Sequence, residues 1–288
     1  MRALSVPRGR GVTLVETLVA TVLAGVVIAA VHAVLLGAQR FYRAQPQILD
    51  VQRGVRTAAH LLTAELRGLD ASDGDIVAMS DTALTIKAPR ALAVVCAVPD
   101  VASGRVIIAD RLTYAFRAVD PARDSVLLFR DGDTLQDADD RWIRARVAAV
   151  AAAPCPDGSS GTRLTVAPAG GTAELDGVVA GAPLRTFEPV RYRLYEDASG
   201  TWWLGLQSYS GGWSATTPLA GPLRPRDGLR FAYTDAGGVP TAVPTEVRRV
   251  VVSVRGRSLE AIDAAGRRSG PFLDSLSTSI TLRNGAHP

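Results

Sequence analysis

The chain opens with a short polar stretch, MRALSVPRGRG, and then runs apolar from Val12 to about Leu36, with Glu16 as its one carboxylate. A helix needs about 20 residues at about 1.5 Å each to cross a ~30 Å hydrocarbon core. The run is therefore long enough to span a membrane. Arg2, Arg8 and Arg10 precede it and no Lys or Arg falls inside it, a pattern that keeps the leader cytoplasmic and exports the remainder of the chain. A secretory signal peptide has a shorter apolar region that ends in a small-residue cleavage site. This run is too long for that, and a helical pattern continues beyond it. A plain signal anchor accounts for the length and the charge but leaves Glu16 unexplained.

Beyond Gly37 the apolar positions are Phe41, Ile48, Val51, Val55, Ala58, Leu62, Leu66 and Leu69. Spacings of three and four place them on one stripe of an amphipathic helix. Arg40, Arg43, Asp50, Arg53, Arg56 and Glu65 take the other faces. Pro46 is expected to kink or interrupt this helix, and Gly68 with the stretch 70–75 to end it. The expectation is one broken helix over 12–69, membrane-spanning over 12–36 and amphipathic over 37–69.

After Asp70 the period shifts toward two. Short segments separated by Gly, Pro, Asp and Ser predict strands, among them Ala83–Ala88, Ala91–Val98, Val106–Phe116, Val190–Glu196, Glu246–Arg255 and Ser279–Arg283. Residues 154–181, rich in Gly, Ala, Pro and Ser, are expected to form a flexible loop. A long helix followed by antiparallel strands gives an α+β fold, with the β-rich head over 70–288.

Glu16 is the anomaly. A lone carboxylate in hydrocarbon costs several kcal/mol unless it is paired or protonated. The local sequence is Gly11, Val12, Thr13, Leu14, Val15, Glu16. With the basic leader and the long apolar helix, it resembles the class III signal of the type IV pilin-like prepilins: glycine, cut, hydrophobic residue, Thr, Leu, aliphatic residue, Glu. The usual residue after the cut is Phe; here it is Val12. The resemblance implies cleavage between Gly11 and Val12 by an inner-membrane prepilin peptidase, which also methylates the new Val12 amine. Gly11, with no side chain, can enter a narrow subsite. It implies a pilin-like fold, a long N-terminal helix packed on an antiparallel β-sheet head. It further implies that Glu16, one turn beyond the new terminus, neutralises the Val12 amine of a neighbouring subunit during assembly.

The order of the later segments is similar to PilW-like minor pilins and to the J-type minor pseudopilins of type II secretion. It runs from Val-Arg-Tyr-Arg-Leu-Tyr at 190–195 through Trp202, Trp203 and Pro218–Pro222 to Leu229–Asp235 and Val247–Val254. The partners implied are other pilin-like subunits, the prepilin peptidase/methyltransferase, the inner-membrane assembly platform and the membrane itself. The place implied is the bacterial inner membrane, with a cytoplasmic N-terminus and a periplasmic head, and then a pilus or pseudopilus.

Charge and candidate chemistry change this picture little. Removing Arg2, Arg8 and Arg10 with the leader takes the 32 basic residues to 29, against 28 acidic. The mature chain is then nearly neutral, and nucleic acid is not an expected partner. Cys96 and Cys155 permit one disulfide in an exported domain, with two free thiols as the alternative. His32, His60 and His287 are scattered, and Ser159 and Ser160 lie outside any nucleophile elbow. No phosphate-cradling or dinucleotide motif occurs. The acidic run Asp131, Asp133, Asp137, Asp139 and Asp140 lacks an EF-hand register, and it reads as solvated charge, as do Asp70, Asp73 and Asp75. Trp202, Trp203 and Trp213 read as packing. No catalytic residue, cofactor or metal is expected. The function expected is a minor pilin or pseudopilin that initiates or caps a filament. A filament-tip binding module, adhesin or DNA receptor, is the alternative, and a membrane-anchored periplasmic enzyme is a third class. An arginine patch at Arg224, Arg226 and Arg230 is the feature a DNA receptor would use.

Overall fold

Helix α1 is Leu14–Arg67. It belongs to a computed structural model that describes residues 13–132, 140–262 and 270–282. The expected interruption at Pro46 is absent, and the helix runs through it. Proline removes one backbone N–H and crowds the carbonyl four residues back. Leu69 N–H bonds to Leu66 O at 3.2 Å as the chain turns at Gly68. The buried stripe is Val51, Val55, Ala58, Leu62, Leu66 and Leu69. Phe41, counted in that stripe from its spacing, is instead 60% exposed.

The chain divides into two units, Met1–Leu49 with Ser258–Phe272, and Asp50–Arg257 with Leu273–Pro288. In the first, Gln47 Nε2 donates to Glu260 Oε2 at 3.0 Å.

Among the described residues thirteen strands come after the helix: β1 Ile76–Met79, β2 Ala83–Asp100, β3 Arg105–Ala109, β4 Tyr114–Ala115, β5 Ser125–Arg130, β6 Arg141–Ala152, β7 Gly161–Pro168, β8 Pro183–Glu196, β9 Trp202–Ser208, β10 Thr217–Leu223, β11 Leu229–Thr234, β12 Arg249–Ile262 and β13 Gly270–Thr281. All the pairings recorded between them are antiparallel. One long apolar helix followed by a large antiparallel sheet is an α+β fold.

Two strands are long enough to serve two layers. β2 pairs β3, then β7, β6, β5 and β8 succeed one another in order, and β8 pairs back onto β2. Those six strands close a small barrel with no free edge. Alternate residues of each point inward, including Val95, Ile108, Val126, Ile143, Leu164 and Leu184, and Leu175 and Val178 pack against them. The other halves of β2 and β8 continue into an open sheet, β1-β2-β8-β9-β10-β12-β11. The second half of α1 lies on this sheet. A Cβ built on Gly54 meets the Gly221 backbone, and one on Gly256 meets Val51 and Val55.

Several sequence expectations change here. The two strands Ala83–Ala88 and Ala91–Val98 are one, because a bulge between Pro89 and Ala91 absorbs the proline without ending the pairing with β8. The expected strand Val106–Phe116 stops at Ala109 in a 3-10 turn, Asp110–Leu112. The last strand starts at Gly270 rather than Ser279, and Arg283 lies outside the described residues. The loop expected over 154–181 is the largest correction. It contains β7, and its Leu164, Val166, Leu175 and Val178 are core. Its Gly and Pro residues punctuate turns, but alternating Leu164 and Val166 complete the barrel wall.

An ionic network fills the seam between the barrel and the helix-bearing sheet. Glu188 on β8 is buried in line with Leu184 and Val190. It receives Arg90 Nε at 3.1 Å and Arg117 Nη2 at 3.0 Å. Arg90 also pairs with Glu65 of α1 at 3.1 Å, and Arg117 with buried Asp124 at 2.6 Å. Burial alone would push the Glu188 carboxyl up. Hydrogen bonds from Ser208, Arg117 and Arg90 outweigh it and hold the group below the usual carboxylate range.

Candidate functional site

The N-terminal helix is built from residues that close their own hydrogen bonds. Thr13 stands just ahead of Leu14, and its Oγ1 accepts the Glu16 N–H at 3.2 Å, a side-chain N-cap. The hydroxyls of Thr17 and Thr21 donate to the carbonyls of Thr13 and Thr17 at 3.1 and 2.7 Å. Three hydroxyls thus sit in an apolar helix with a local backbone partner each. Glu16 lies in the first turn, where the helix dipole favours an acid. It is exposed. Gly11 and Val12, the expected scissile pair and methylated amine, lie outside the described residues.

From Leu14 to Leu36 the large apolar residues are 41% to 82% exposed. This is the one helix among the described residues long and apolar enough to cross a membrane, and its most apolar window is not buried at all. A fully wetted apolar surface of that length is unstable in water.

The remaining candidates do not converge. Cys96 and Cys155, left open by the sequence between a bridge and free thiols, are joined, with Cα atoms 5.8 Å apart. Cys155 is buried beside Ile107 and Ala109. His32 lies on the apolar part of α1 and His60 is exposed on its second half; His287 lies outside the described residues. Ser159 Oγ donates to Asp157 within its own turn. Asp75 is buried and accepts the Asp70 N–H at 2.9 Å; burial pushes its carboxyl up. Asp73 and Asp75 both lie within ion-pair distance of Arg185, at 3.5 and 3.7 Å. Asp133, Asp137 and Asp139 lie outside the described residues. Among the described residues no group of His, Cys, Asp or Glu could hold a metal ion.

The tryptophans are dispersed. Trp203 Nε1 donates to Asp197 at 2.8 Å, while Trp213 stacks on Arg191 at 4.1 Å and packs edge-on against Tyr209. The arginine patch is largely compensated: Arg224 pairs with Asp227, and Arg230 with Asp81. An apolar groove of about 310 Å³ lies beside the end of α1, lined in part by Pro89, Leu92, Tyr114 and Phe116. Tyr114 and Phe116 are 86% and 87% exposed.

Sequence reasoning missed two things. The Glu65–Arg90–Glu188 link escapes it because its members are 25 and 98 positions apart. The exposure of Phe41 escapes it because a period near 3.6 marks one face of a helix but not how far along the helix the covering elements reach. No protein-family model, no curated protein and no solved structure matches the chain.

Proposed function

We propose that the chain is a minor subunit of a type IV pilin-like filament, a pilus or a secretion pseudopilus, that helps initiate or cap its assembly. The observation that carries this reading is α1 itself. One uninterrupted helix carries a bare apolar half with a single carboxylate near its start and a second half buried on a β-rich head. In this reading the apolar half sits in the inner membrane until the subunit is drawn into a bundle of like helices. The leader is cut between Gly11 and Val12, and Glu16 meets the Val12 amine of a neighbour. At a separation of about 4 Å and an effective dielectric near 20, such a pair is attracted by about 4 kcal/mol, enough to set register between otherwise uniform apolar helices.

Glu16 has a competing local role at the capped helix start, and two substitutions separate the roles. Glu16→Gln keeps the size and hydrogen-bonding capacity of the side chain and removes only the charge; Glu16→Ala removes both. N-terminal sequencing of the extracted protein should begin at Val12 for wild type and both variants when prepilin peptidase is present. Neither variant should be recovered in sheared filaments. Normal recovery of Glu16→Gln would overturn the charge-pair mechanism, and an uncut leader in wild type would overturn the family reading.

A second reading, a tip-borne binding module, is favoured by the exposed Tyr114 and Phe116 beside their groove. The compensated arginines weigh against DNA as its ligand.

A further inference from the structure

Phe41 and Tyr42 are neighbours on α1, 60% and 74% exposed, with their rings edge-to-face at 6.2 Å. Together they cover a broad sector of the helix, and neither joins a buried core. They begin five residues past Leu36, the end of the apolar run, a rise of about 7.5 Å. Arg40 precedes them and Arg43 comes directly after. Tyrosine, apolar in body and polar at its tip, concentrates where hydrocarbon gives way to headgroups, and the Phe41 ring lies edge-on against it. The Gln47–Glu260 hydrogen bond is five residues further on, about 8 Å above Tyr42.

Resting on the reading that α1 spans a bilayer, we propose that Phe41 and Tyr42 form an interfacial anchor whose occupant is the lipid boundary itself. The anchor sets the depth of α1 and holds Glu16 at the opposite headgroup layer. A bilayer has a hydrocarbon core of about 30 Å and headgroup layers of about 5–7 Å on each side. With the rings in the outer layer, hydrocarbon begins near Ala38. About twenty residues of it, at about 1.5 Å each, end near Leu18. Glu16 then falls two residues beyond, in the inner headgroup layer, where its carboxylate stays charged and hydrated. The membrane-held subunit therefore stores no buried charge. Glu16 becomes enclosed only when helices pack together, so that its partner is selected at assembly and not before.

The test uses the full chain in vesicles of phosphatidylcholine and phosphatidylglycerol. Cys96 and Cys155 are bonded to each other, so single nitroxide labels go on Gln39→Cys or Leu18→Cys. Their depth is read from collision with oxygen against a water-soluble nickel chelate. In wild type both labels should report the hydrocarbon edge, one in each leaflet. Phe41→Ser with Tyr42→Ser should let the helix ride outward by about half a turn to one turn, ~3–5 Å. The Gln39 label then enters water and the Leu18 label moves deeper. Phe41→Trp with Tyr42→Trp should restore the wild-type depths. Unchanged depths in the double serine variant would overturn the anchor while leaving the span intact. A Gln39 label already in water, with Leu18 still in lipid, would do the same. Labels that meet only water in wild type would overturn the span and the anchor together.

Discussion

The docking of α1 on the sheet can be tested at one atom. Gly54 faces Gly221 of β10, and a methyl group added there would run into the Gly221 carbonyl oxygen and stand 2.7 Å from its carbon and 3.1 Å from its Cα. All three are backbone atoms, so no side-chain rotation relieves the overlap. The helix must retreat by about 1 Å, and close-packed interiors absorb such shifts poorly. Overpacking of this kind costs about 3 kcal/mol at its upper end. Gly54→Ala also gains about 1 kcal/mol of helix propensity, which leaves a net loss of about 2 kcal/mol. For a domain of this size each kcal/mol moves Tm by about 2–4 °C, so the variant should melt about 4–8 °C lower. Near-UV circular dichroism of the detergent-extracted protein, which tracks the tryptophans of the head, reads this directly. Gly25→Ala and Gly37→Ala are the controls: nothing among the described residues lies within 4 Å of either added methyl, and they should melt at or slightly above wild type. A Gly54→Ala protein as stable as these controls would refute the close approach and with it the docked helix.

Two further outcomes concern the head. Glu188→Gln removes one counter-charge from Arg90 and Arg117, which keep Glu65 and Asp124, and should destabilise by about 1.5–3 kcal/mol near neutral pH. Because the folded Glu188 carboxyl is held below its unfolded value, its contribution is complete above about pH 4.3 and fades as pH falls through the lower folded value. Urea midpoints between pH 6 and 3 should therefore fall more steeply for wild type than for Glu188→Gln, and parallel slopes would refute the network. The Cys96–Cys155 bridge spans 59 positions. Replacing both residues by serine should lower stability by ~4 kcal/mol on loop-closure grounds, and a melting temperature indifferent to reductant would show that the bridge does not form.

Local patterning was enough to specify the first element and the class of the rest. An unbroken apolar run, its single carboxylate and the period-3.6 stripe from Val51 to Leu69 are short-range signals, and such signals fix a helix and its buried face. Period-two alternation likewise announced strands on both sides of Pro89. Where those strands close was left to packing in three dimensions. The barrel depends on β8 returning to β2 at positions about a hundred residues apart, and no local period encodes that pairing. The same long-range closure turned Leu164 and Val166, in a segment whose composition reads as loop, into core. It brought Glu65, Arg90 and Glu188 into one buried network. Hydrophobic periodicity tells a residue which way to face along its own element; which partner it faces is settled by packing among elements distant in the chain.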